Sequence, residues 1–82
     1  MDDSPEGPFA NGTHVRVTED LHVTTPEPDK RVFGMTPIAK GATGTVTGYR
    51  DEDDETIVKF TDHPGVEGDI ELVIISEFLE PV

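Results

Sequence analysis

Four short runs in this chain alternate apolar and polar residues with the two-residue period of a β-strand: His14–Thr18, Thr43–Arg50, Thr56–Thr61 and Asp69–Ile75. Each is rich in Val, Ile, Thr or Phe, and each is bounded by Gly, Pro or acidic residues. No stretch carries a sustained helical period. Val15 and Val17 fall on one face of the first run, and Leu21 and Val23 resume the alternation after the turn residues Glu19 and Asp20. In the last run Ile70, Leu72 and Ile74 share one face, which leaves Val73 and Ile75 on the other.

Short strands at this spacing predict an all-β fold, a small SH3-like barrel of about five strands. One short helical turn is expected near the C-terminus, over Glu77-Phe78-Leu79 with Ser76 as its cap, and Glu80-Pro81-Val82 forms a short edge strand after it. Asp51–Glu55 is the tip of the hairpin between the second and third runs. Gly48 permits a bend or a close backbone approach, and Gly41 and Gly44 serve a tight strand entry. Val58 and Phe60, or alternatively Ile57, are expected to face the core.

Eighty-two residues make one domain, read as an acidic disordered tail over residues 1–11 and a barrel over 12–82. Only 33% of the residues are hydrophobic and there is no Trp, so the core is thin. Either a second subunit adds burial or the small barrel stands alone. From Thr24 to Lys40 the chain is irregular, with prolines at 26, 28 and 37, yet it carries Val32, Phe33, Met35 and Ile38. Loops this long in small domains are commonly functional. Phe33, Met35 and Ile38 either plug the open barrel end or face a partner. Together with the outward Val73 and Ile75, Phe33 and Met35 are the candidate partner-binding residues.

Charge and chemistry narrow the function. Eighteen acidic residues against six basic ones give a net charge of −12, the wrong sign for nucleic acid or an anionic membrane. The acidity fits solubility or salt adaptation, docking on a basic partner face, or mimicry of nucleic acid. With no cysteine, no thiolate can hold zinc or an iron–sulfur cluster. His14, His22 and His63 are scattered and read as surface or edge residues, and the acidic tip lacks the spacing of a calcium loop. Ser4 and Ser76 sit in no nucleophile motif. No catalytic, cofactor-binding or metal-binding residue is assigned. The acidic start has neither the basic nor the apolar stretch of a targeting segment, so the chain is expected in the cytoplasm.

Several short motifs carry a resemblance. Gly12-Thr13-His14-Val15-Arg16-Val17 resembles the Gly-x-x-Val-Arg-Val opening of the variable (alpha) chain of ferredoxin–thioredoxin reductase. Leu21-His22-Val23 followed by Pro26 is similar to the next strand and its proline-bearing loop. Gly34-Met35 and Gly44-Thr45-Val46 resemble that family's Gly-Met-x-Gly-x-Val turn, split by an insertion. Val58-Lys59-Phe60 resembles its Val-x-Phe strand, and Glu77-Phe78-Leu79-Glu80 its acidic close. Arg50–Thr56 stands where the family has a longer hairpin, and Glu71–Ile74 where it has a Phe-Ala-His stretch.

The resemblance implies a non-catalytic barrel subunit that stabilises a cluster-bearing catalytic partner in photosynthetic redox regulation. The [4Fe–4S] cluster would belong to that partner, and this chain would be one subunit of a thioredoxin-reducing enzyme. Thr45–Phe60 and the ending also resemble the small SH3-barrel subunit at the periphery of photosystem I. The alternatives are an unrelated SH3-like adaptor in a photosynthetic or regulatory complex, and an acidic nucleic-acid mimic.

Overall fold

Alternation translates directly into strands. A computed structural model describes residues 7–82 except 28, 29, 31, 33, 62, 64, 65 and 67. It contains β1 (His14–Val17), β2 (Leu21–Val23), β3 (Thr36–Ile38), β4 (Thr43–Arg50), β5 (Glu55–Phe60) and β6 (Ile70–Ile75). A 3₁₀ turn over Ser76–Phe78 and β7 (Leu79–Pro81) complete the order. Five strands form one antiparallel sheet in the order β6-β5-β4-β1-β7, and β2 and β3 form a separate ribbon. This is a small all-β, barrel-like fold, as expected from the sequence. It has seven strands against about five anticipated: the Leu21–Val23 alternation forms β2, and the long loop supplies its partner β3.

β4 makes the barrel possible. Its eight residues are long enough to pair with β1 at one end and with β5 along the rest. The register with β5 shifts between Val46 and Gly48, and such a bulge bends a strand and increases its twist. The bend falls where Gly48 was read as permitting one. Gly44 serves a different need. A Cβ there would lie 2.6 Å from Val58 Cγ1 and 2.7 Å from the Lys59 carbonyl oxygen. The two strands approach too closely for any side chain at that point.

The core is built from the faces the pattern assigned. Val15, Val17, Val46, Val58, Phe60, Ile70, Leu72, Ile74 and Leu79 are buried together with Val23 and Ile38 of the ribbon. Ile38 therefore plugs the barrel. Fully burying an aliphatic side chain of this size is worth roughly 1.5–3 kcal/mol, so each member of so small a set matters. Phe9 is half-buried against this cluster, and the Gly12 N–H donates to the Val46 carbonyl (2.8 Å). Residues 7–11, expected within the tail, thus lie against the barrel, held by one aromatic anchor; residues 1–6 lie outside the described residues.

The C-terminal turn forms where expected but is capped differently. Its N-cap position is Ile75, with no side-chain cap. The Ser76 hydroxyl instead donates to the Asp54 carbonyl (2.8 Å), as does the Ser76 N–H (2.9 Å). Thr56 Oγ1 lies 2.7 Å from Ser76 Oγ, so the buried hydroxyls satisfy one another. This node fastens the hairpin tip to the end of β6. β7 then pairs with β1, with Arg16 and Glu80 directly opposite and joined by an ion pair.

Gly44→Ala is expected to lower the unfolding free energy by about 2 kcal/mol or more, as overpacking does, since the Lys59 carbonyl cannot step aside without breaking the β4–β5 ladder. Urea denaturation checks this. A loss of a few tenths of a kcal/mol would show that the strands separate freely.

Candidate functional site

The chain from Thr18 to Ala42 leaves the main sheet, makes the β2–β3 ribbon and returns. Its base is tied where the Lys40 N–H donates to Asp20 Oδ1 (2.8 Å). Its far end is held in two places. The Val73 N–H donates to the Thr24 carbonyl (2.9 Å), and Arg50 Nη2 donates to the Pro26 carbonyl (3.0 Å). The excursion therefore reaches the free edge of β6, which places Thr24 beside β6 and Pro26 beside the β4–β5 hairpin.

Two hollows result, and β2 contributes Leu21 and His22 to both. The larger, about 680 Å³, lies between the ribbon and the ends of β4 and β5, with Ile38, Ala42 and Phe60 among its walls. His63 borders it and is 8% exposed, not the surface residue expected. Its Nε2–H donates to the Pro37 carbonyl (2.9 Å), and this bond, with burial against the ribbon, holds it inside.

The smaller hollow, about 180 Å³, brings together three of the four residues proposed from sequence: Met35, Val73 and Ile75. Val23, Glu55 and Phe78 also line it. Phe33 lies outside the described residues. Met35 is 58% and Ile75 45% exposed. Val73 needs a correction. It lies on the face of β6 opposite to Ile70, Leu72 and Ile74, as the alternation required, and it is not part of their cluster. It is nevertheless only 7% exposed, and Thr24, at the end of β2, pairs with it along the free edge of β6. Val73 is the floor of the hollow, while Met35 and Ile75 are its open rim.

The hairpin tip beside this hollow is fixed. Asp54 adopts a positive φ of 54°, a conformation that aspartate tolerates better than most residues. Its carboxylate accepts the Tyr49 hydroxyl (2.7 Å), and its carbonyl holds Ser76. Tyr49 is held above the usual phenol range, first by that hydrogen bond, then by lost hydration and by the charges of Asp54 and Asp51. Among the described residues no group of three His, Cys, Asp or Glu side chains is placed to hold a metal ion. No helix among them is long and apolar enough to cross a membrane.

Two outcomes are expected from this geometry. Val73→Lys should destabilise the isolated chain by about 2–4 kcal/mol, since it buries an unpaired ammonium at a position only 7% exposed. Thermal unfolding reads this, and an unchanged midpoint would mean that the ribbon lifts off β6. Tyr49 is the only tyrosine, so its ultraviolet titration is unambiguous. Asp54→Asn should move that titration down toward the ordinary range. A tyrosine pKa raised by folding adds stability that is complete below the unfolded value and is lost as pH rises through the folded one. The wild-type chain should therefore lose this contribution only in alkaline solution. An identical titration in the variant would show that Asp54 does not govern Tyr49.

No known protein family, curated protein or solved structure gives a significant match to this chain.

Proposed function

We propose that this chain is a non-catalytic SH3-like subunit that binds a protein partner through the Met35–Ile75 surface. One observation carries the reading. Three large apolar side chains are exposed among the described residues, Met35, Ile75 and Val82, and two of them rim the same hollow. A hollow with a buried apolar floor and an exposed apolar rim gains most when a side chain from another protein fills it. Phe33, two residues before Met35, is proposed as a further contact on sequence grounds.

The first partner to test comes from the resemblance: a catalytic chain of ferredoxin–thioredoxin reductase, which would bring the [4Fe–4S] cluster and the chemistry. This chain has no cysteine to supply either, and its part would be to bury the partner's surface and hold its shape.

Mixing the purified chain with such a catalytic chain should give a heterodimer by sedimentation. Met35→Glu and Ile75→Glu should each weaken it about tenfold or more while circular dichroism stays unchanged, because both side chains project from the surface. Absence of a heterodimer would overturn the reductase partner. A heterodimer indifferent to both substitutions would overturn the surface.

A further inference from the structure

Glu55 lies directly opposite Ile75 in the β5–β6 ladder. Residues opposed in this way point to the same face, with Cβ atoms about 5 Å apart. Glu55 is half-buried and is the one charged side chain lining the smaller hollow. No ion pair reaches it among the described residues, nor do any reach Asp51, Glu52, Asp53 or Glu77. The nearby cation is turned elsewhere. Arg50 faces Glu55 across the β4–β5 ladder, but its guanidinium donates to the Pro26 carbonyl. Arg16 and Lys59 are paired with Glu80 and Asp69.

A partner seated on Met35 and Ile75 must cover Glu55 as well. A neutral or acidic partner would strip water from its carboxylate and return nothing, and that penalty opposes binding. A partner with Lys or Arg beside its apolar anchor would supply a charge-assisted hydrogen bond in the same step. We propose that Glu55 makes this surface selective for a basic protein segment, one whose apolar side chain fills the Met35–Ile75 hollow while an adjacent Lys or Arg pairs with Glu55. The inference rests on the reading of that hollow as a docking site and adds the chemical class of what docks. The exposed tip residues Asp51–Asp54 directly precede Glu55 and would raise the local concentration of such partners, whereas Glu55 holds them.

Selection of random peptides displayed on phage against the full chain tests this. The enriched sequences should place Lys or Arg next to a bulky apolar residue, and binding should weaken as salt is raised. For synthetic versions, Glu55→Gln should raise Kd about tenfold, mainly through faster dissociation, while Asp51→Asn with Asp53→Asn should mainly slow association. Glu55→Lys should shift the enriched peptides toward Asp and Glu. Ala39→Arg, on the larger hollow, should leave affinity unchanged and so places the contact at the smaller one. Peptides that lose binding with Ile75→Glu but carry no basic residues, or that bind the Glu55→Gln variant equally well, would overturn the role of Glu55 and leave the docking site standing. Enrichment only of peptides indifferent to Ile75→Glu would overturn both. Unfolding midpoints of the Glu55 variants that match the wild type keep a lost fold from passing as lost affinity.

Discussion

One backbone hydrogen bond, from the Val73 N–H to the Thr24 carbonyl, is the strand-to-strand bridge between the ribbon and the main sheet among the described residues. Much of what distinguishes this surface depends on it. Without it β6 would present its outer edge, with the Val73 N–H unpaired there. With it, Val73 becomes a floor, and the chain on either side of Thr24 becomes a wall. Ile75, two residues further along β6, has no such bridge. The hollow therefore opens where the pairing with Thr24 ends, and its apolar character follows from the alternation of that strand.

The bridge also depends on the node at Asp54. A ribbon joined to the sheet at one rung can pivot unless its neighbours are held. Asp54 holds the hairpin tip through Tyr49 and the end of β6 through Ser76. Arg50 then reaches the Pro26 carbonyl from that fixed hairpin. Glu55 follows Asp54 directly and inherits its rigidity. A carboxylate on a held strand loses less entropy on pairing than one on a free loop, so in the proposed docking the node would serve recognition as well as folding.

Most of the barrel was legible in the sequence because its strands have one wet and one dry face. β1, β4, β5 and β6 begin and end within a residue or so of their alternating runs. β3 was not legible. It is three residues long with Pro37 at its centre, and its strand character comes from pairing with β2, not from its own composition. The same limit explains Val73. Alternation assigns a side chain to a face but does not say what packs beside the strand, and the neighbour here, Thr24, is 49 residues away in the chain. Ser76 shows the reverse case. Its local context suggested a helix cap, and a distant carbonyl proved the better partner. Glu55 was read only as part of an acidic tip. Its position opposite Ile75, which sets it apart from its acidic neighbours, exists only once β5 and β6 are in register. Met35 and Ile75 were recoverable because an apolar residue in a proline-rich loop, or on the wet face of a strand, breaks the local pattern.

The acidity and the thin core bear on each other. A net charge of −12 on so small a domain opposes compaction by self-repulsion. Two of the six basic side chains offset this where strands meet or end: Arg16 clamps β7 onto β1 through Glu80, and Lys59 near the end of β5 reaches Asp69 just before β6. Among the described residues no ion pair gives Glu55 or the tip carboxylates Asp51–Asp53 such relief. A basic partner would lower that repulsion and bury apolar surface in one step, and any ligand that binds only the folded state raises its stability. The two features that weaken the isolated barrel, few apolar residues and many uncompensated charges, thus act in the same direction. On the proposed cationic, apolar-anchored surface both would make folding of this chain more favourable than in water alone.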